Sequence, residues 1–287
     1  MKDAILISDI TSDEFYVSGM YLSCTREKAY LSDSEFRKLG DMIERNVHLT
    51  ELRLKIPFLH APGAFYDSLA NSTHIQKLHL DVTQCREDIL PKLIASEDGN
   101  GVVQRLLRNP QSQLVELDLS QIDLEDHHLI ALAPSLPTSK MKKFDFSRNR
   151  IKSQGLLEFI HQIPLLHSLD EIIWHNNTWE QDSDLEECGK ALLHGTIESS
   201  SLTSIKDIMF QSPQKELLRH HLMANYIRQK CLRREEQPIP AGLWPLILAG
   251  VKTWAFPRYH DYGPPSQENA MYILLQSCPT ILTSCKK

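Results

Sequence analysis

The sequence predicts an α/β fold: a short horseshoe-shaped solenoid with parallel strands on its concave side, helices on its convex side and a helical C-terminal cap. Three observations predict it. Apolar residues recur in triplets spaced i, i+3, i+5 between residues 33 and 212. Two consecutive triplets, starting at Met141 and Leu169, each carry an Asn three residues after their last member. Between the triplets run apolar stripes of helical period.

The clearest strand unit is Met141, Phe144, Phe146, Asn149 and Ile151; the next is Leu169, Ile172, Trp174, Asn177 and Trp179. The preceding copy has Leu114, Leu117, Leu119 and Leu124, with Ile122 in place of the Asn. Shorter matches are Leu49/Leu52/Leu54, Ile75/Leu78/Leu80 and Ile205/Ile208/Phe210. The steps are 75 − 49 = 26, 114 − 75 = 39, 141 − 114 = 27, 169 − 141 = 28 and 205 − 169 = 36, so insertions are expected within residues 82–113 and 180–204. Side chains alternate across a strand, so positions four and six of each unit face the core and positions three, five and seven face outward. The Asn side chain is suited to satisfy backbone groups buried where the chain leaves the strand. One unit cannot bury its own apolar face, whereas stacked units bury a continuous one.

The helices follow in the same order. Phe36, Leu39 and Ile43 form a first stripe, with Asp33 or Ser34 as the expected N-cap. Leu129, Leu132, Ala133 and Leu136 form another, as do Leu156, Phe159, Ile160 and Ile163, and Leu185, Cys188, Gly189 and Leu192.

These residues resemble the ribonuclease-inhibitor type of leucine-rich repeat, whose long repeats carry a full helix on the convex side. That type often has a Gly four residues after the last apolar position of the strand unit. Gly155 after Ile151 matches, while His128 and Ser183 occupy the place in the neighbouring copies. The resemblance covers residues 33–212 and implies protein binding.

Residues 1–32 show no repeat and are expected to form an N-terminal cap, and residues 213–287 a helical C-terminal cap, because the end units of a solenoid otherwise expose core. Residues 213–234 read as a helix with Leu218, Leu222, Tyr226 and Ile227 on one side and a basic cluster that includes Arg219, Arg228 and Arg233. The Leu243-Trp244-Pro245 motif and the later Tyr272-x-Leu274-Leu275 helix resemble the C-terminal segment of short repeat proteins of diatoms and related algae. Trp244, Leu246, Ile247, Tyr272 and Leu275 are expected to cover the last repeat.

The 287 residues carry 31 Lys+Arg against 37 Asp+Glu, a formal charge of −6, which speaks against a general nucleic-acid binder. The first apolar run, Ala4 to Ile7, is shorter than a secretory core, and Ala241 to Val251 is shorter than a bilayer span. The six cysteines show no two-residue spacing, and scattered thiols fit the cytoplasm or nucleus. Neither membrane nor nucleic acid is therefore an expected partner.

Thirteen histidines include the adjacent pairs His127-His128 and His220-His221, which do not share a helix face. No His-Glu-x-x-His, Cys-x-x-Cys, phosphate loop, dinucleotide fingerprint or Gly-x-Ser-x-Gly elbow occurs. No catalytic residue, metal or cofactor is expected, and the chain is read as a non-enzyme.

The outward strand positions carry the candidate binding face. Position three reads Glu51, Lys77, Glu116, Lys143, Glu171, Asp207, with signs that alternate over the first five; position five reads Arg53, His79, Asp118, Asp145, Ile173, Met209; position seven includes His175. One reading is a ladder of surface ion pairs, each contributing ~0–1 kcal/mol. The other is a partner site over Arg53, His79, Asp118, Asp145, Ile173, His175 and Met209, with Ile173 and Met209 as an exposed apolar anchor and the Asp118/Asp145 pair taking a basic group. The expected function is a non-catalytic, monomeric protein-interaction scaffold, with a ubiquitin-ligase substrate adaptor or a small-GTPase regulator as the alternatives.

Overall fold

Short runs of alternating apolar residues, each followed by a polar turn and a helical stripe, build one sheet. The computed structural model describes residues 19–23, 31–55, 61–82, 89–96, 98–178, 185–199 and 201–206, together with Leu218, Leu222 and Asn225. Its strands are β1 (Gly19–Ser23), β2 (Glu51–Lys55), β3 (Lys77–Leu80), β4 (Glu116–Asp118), β5 (Lys143–Asp145), β6 (Glu171–Ile173) and β7 (Ser204–Lys206). They pair in sequence order, all parallel, in one seven-stranded sheet. Its helices are α1 (Asp33–Arg45), α2 (Gly63–Asn71), α3 (Leu90–Leu93), α4 (Val102–Arg108), α5 (Asp126–Leu132), α6 (Ser153–Gln162) and α7 (Leu185–Glu198). The parallel sheet fits a leucine-rich-repeat type of fold.

The expected core positions fall in register. Leu52, Leu78, Leu117, Phe144, Ile172 and Ile205 are consecutive Cα partners across six strands. All six are buried in one cluster with the helix stripes. Phe144, Phe146, Phe159 and Trp174 pack edge-on or tilted, with centroids 4.9 to 6.2 Å apart, which suits the ring quadrupoles. Two helices, α3 and α4, occupy the long step between β3 and β4. Among the described residues, no helix is long and apolar enough to cross a membrane.

The N-cap of α1 is Ser32, ahead of the expected Asp33 or Ser34. Glu35 explains the difference: Ser32 N–H donates to its carboxylate at 2.7 Å while Glu35 N–H donates back to Ser32 Oγ at 3.4 Å, a reciprocal capping box.

The last unit sits in a different register from the expected one. Ile205 pairs with Ile172 and so takes position four, with buried Leu202 at position one. The triplet Ile205/Ile208/Phe210 misled because Ile205 fits position one equally well by polarity. Ser204 and Lys206 therefore stand in the rows assigned to Asp207 and Met209. Asp207, Ile208, Met209 and Phe210 lie outside the described residues.

Asn149 joins neighbouring units. Its Oδ1 accepts the N–H groups of Ile122 and Leu124, both at 3.0 Å. Its Nδ2 donates to the carbonyls of Leu119 and Phe146 at 2.9 Å. Asn177 repeats the pattern one unit on, accepting from Ile151 N–H and donating to Phe146 and Trp174 carbonyls. Ile122, where the motif has no Asn, is served by Asn149 of the following unit. Each of these turns places a residue in the left-handed region at the same position, Gln121 (φ 60°), Arg148 (φ 57°) and Asn176 (φ 56°), and the first adds Asp123 (φ 60°).

Gly155 is required by packing. A Cβ there would lie 2.6 Å from Asp126 Oδ1 and 2.8 Å from Asp126 Cα. Asp126 Oδ1 in turn accepts Lys152 N–H at the start of α6. The equivalent place one unit earlier holds His128, which is buried and whose Nδ1 accepts Glu125 N–H at 3.2 Å. Burial, with a smaller contribution from His127, pushes the His128 pKa down to about 4.

At the C-terminal end, Leu218 and Leu222 are helical and join the core, and Asn225 is helical and buried. Asn225 Nδ2 donates to the carbonyls of Ser199 and Leu202 at 2.8 and 3.0 Å, just past the end of α7. The remaining residues of the expected cap, including Trp244 and Tyr272, lie outside the described residues.

Asn149→Ala leaves these buried N–H and C=O groups unpaired, so it is expected to lower unfolding free energy by about 3 kcal/mol in urea titration at an unchanged m-value; a loss under ~0.5 kcal/mol contradicts the assignment. His128 is neutral in the fold and titrates at its ordinary value when unfolded, so the unfolded chain takes up the extra proton between the two pKa values. Stability is therefore full above about pH 6.5 and falls by up to about 3 kcal/mol toward pH 4. His128→Asn is expected to flatten that limb in pH-dependent melts.

Candidate functional site

The helices cover one face of the sheet, and the outward strand positions form the other. Strand register aligns these positions in rows. The first row runs Glu51, Lys77, Glu116, Lys143, Glu171, Ser204, and the second Arg53, His79, Asp118, Asp145, Ile173, Lys206. A depression of about 260 Å³ lies over β2 to β5, lined chiefly by Arg53, Lys77, His79, Glu116, Asp118 and Asp145.

Most charges in the rows are matched. Lys77 Nζ meets Glu116 at 2.8 Å and Lys206 Nζ meets Glu171 at 2.8 Å, while Lys143 reaches the other Glu171 oxygen at 4.0 Å. Lys55 meets Asp81 at 2.6 Å, and Arg53 binds Glu51 on its own strand at 3.0 Å. The hydrogen bond to Glu116, with its charge, raises the Lys77 pKa above the usual ammonium value.

His79 Nδ1 faces Asp118 Oδ2 at 2.5 Å, and Asp118 Oδ1 accepts Ser120 N–H at 2.9 Å. Burial pushes the Asp118 carboxyl up, but the hydrogen bonds from His79 and Ser120 more than offset it and hold it below the usual carboxylate range. Asp145, its register partner, has Oδ1 occupied by the N–H and O–H of Ser147 at 3.0 and 2.7 Å. Among the described residues, Asp145 is the one carboxylate of the two rows with no cationic partner.

The structure thus brings Arg53, His79, Asp118 and Asp145 together in one row. Ile173 continues that row but is only 6% exposed, so it is no exposed apolar anchor. The neighbour expected for it, Met209, lies outside the described residues, and Lys206 holds the adjoining place. His175 follows β6, half-buried, and its carbonyl accepts Arg148 N–H at 2.8 Å. Lys206 was missed as a face residue; the signal that finds it is Leu202, buried at the start of its unit. Among the described residues, no group of three or more His, Cys, Asp or Glu side chains is placed to hold a metal ion.

No protein-family model matches the chain, and no curated protein matches it. Among solved structures, leiomodin-1 actin-binding site 2 superposes with a TM-score of 0.41 at 12% identity, covering 80% of this chain and 91% of its own. The tropomodulin C-terminal domain of Caenorhabditis elegans superposes with a TM-score of 0.41 at 12% identity, covering 79% and 95%.

If the ladder only keeps the face soluble, its pairs are weak. A double-mutant cycle on Lys77→Ala and Glu116→Ala is expected to give a coupling below ~1 kcal/mol that shrinks as salt rises. A larger, salt-insensitive coupling contradicts that reading.

Proposed function

We propose that the chain is a leucine-rich-repeat solenoid of the ribonuclease-inhibitor type that binds a protein partner on the open face of its sheet, without catalysis. The single observation that carries this is the polar face itself: five strands, β2 to β6, hold their outward side chains in fixed rows around one depression. A face built this way presents many groups at set spacings with little ordering cost on binding. Gly155 packed on Asp126 and the Asn149 and Asn177 bridges support the repeat type.

Within the face, the ion pairs hold the surface together and Asp145, beside Asp118, offers the unmatched negative charge. A partner that docks a Lys or Arg side chain there gains a charge-assisted hydrogen bond. The chain acts as a monomer in the cytoplasm or nucleus in this reading.

The test is binding of a partner recovered with the full chain from an extract of the source cell, then purified and titrated against variants. The Asp118→Asn/Asp145→Asn double variant is expected to bind about tenfold or more weakly, and the loss to be smaller at high salt. Equal binding by that variant and by a Lys77→Glu/Lys143→Glu variant shows that the partner does not use this face.

A further inference from the structure

The loop between α3 and α4 contains Asn100-Gly101, the one Asn-Gly pair in the sequence. Glycine is fixed at 101 by packing, since a Cβ would lie 2.6 Å from the Ile94 carbonyl oxygen and 2.7 Å from Ala95 Cα. Glycine also leaves its own amide nitrogen unhindered, with no side chain to block approach to the preceding residue. Asn100 is exposed to water. The pair therefore has the composition needed for attack of a backbone nitrogen on a side-chain amide, with the Asn100 amide open to water and Gly101 buried beneath it.

We propose that Asn100-Gly101 is a site of spontaneous deamidation and that Asp98 slows it. In the reaction the Gly101 nitrogen gives its proton to solvent base and attacks Asn100 Cγ. The N–Cγ bond forms, the Cγ–Nδ2 bond breaks, and ammonia leaves with a proton from water. The resulting five-membered imide takes up one water, and opening of either C–N bond gives aspartate or an isoaspartyl linkage. One water is consumed and one ammonia released, with no oxidant or reductant.

Asp98 opposes the first step. Its Oδ2 accepts Asn100 Nδ2–H at 2.9 Å and its Oδ1 accepts Asn100 N–H at 3.1 Å, holding the amide toward Asp98. The Gly101 N–H is also engaged, donating to Gln104 Oε1 at 3.3 Å. Hydrogen bonds from Ser96 and Asn100 hold the Asp98 carboxyl below its usual range, so the nearby negative charge disfavours loss of the amide proton.

The product strains the same loop. Aspartate at 100 replaces the donor that faces Asp98 with a second carboxylate. The isoaspartyl form lengthens the main chain beside Gln104, which ties Ser96 N–H at 2.9 Å and the Ala131 carbonyl at 2.7 Å into this end of α4. Deamidation therefore loosens α4, the helix preceding β4, where Glu116 and Asp118 of the open face reside.

The full chain incubated at pH 8, with site-by-site conversion read by peptide-mapping mass spectrometry, tests this. In the folded protein Asn100 is expected to convert ahead of Asn71 and Asn176, and Asp98→Ala to speed it about fivefold, the effect of freeing the side-chain amide from its hydrogen bond to Asp98. In urea the wild-type chain and Asp98→Ala are expected to convert Asn100 at equal rates, because the restraint is structural. Asn100 lagging Asn71 and Asn176, or converting at one rate in both folded proteins, overturns the proposal. So does an Asp98→Ala effect that persists in urea.

Discussion

The structure depends on one constraint: strand units only three to five residues long leave buried backbone groups at their ends that no ladder can pair. Asn149 and Asn177 resolve it. Each side chain reaches from its own turn into the unit before it, accepting N–H groups and donating to carbonyls across the boundary. An unpaired buried polar group costs about twice what a made hydrogen bond contributes, so the bridge also selects the register. A slip of one residue breaks every such bond and turns Phe144 and Ile172 to water. Asn225 extends the same solution to the end of α7, from a helix instead of a turn.

That lock makes the outer face an ordered array. Each unit contributes side chains at positions three, five and seven, and parallel pairing sets one unit's groups beside the next. The alternating charges are then neighbours of opposite sign, which explains the close Lys77–Glu116 pair, while Lys206 reaches Glu171 diagonally from the second row. Asp118 and Asp145 break the alternation. His79 answers the first and Ser147 the second, and only the first answer can carry positive charge.

Strands β2 to β6 and their core were legible in the sequence because both depend on the spacing of apolar residues. Leu52, Leu78, Leu117, Phe144 and Ile172 took their predicted places, and so did the stripes of α1, α5 and α6. Neither β1 nor α2 was read from the sequence, and two further features were not legible. The register of β7 is ambiguous by polarity, since Leu202-Thr-Ser-Ile205 and Ile205-Lys-Asp-Ile208 share one spacing, and only pairing with β6 decides between them. Ile173 holds an outward strand position and is nevertheless buried, which strand alternation alone does not reveal. Ser32 illustrates a local version of the same limit. Asp33 and Ser34 were the expected caps there, and the reciprocal bond with Glu35 selects Ser32 ahead of them.

The central claim is that adjoining units lie side by side in this register. Zero-length carbodiimide cross-linking, with the joined peptides identified by mass spectrometry, measures it directly because it links only a Lys and a carboxylate in contact. The account predicts links from Lys77 to Glu116 and from Lys206 to Glu171. Links that skip a strand, such as Lys77 to Glu171 in the monomer, would contradict it.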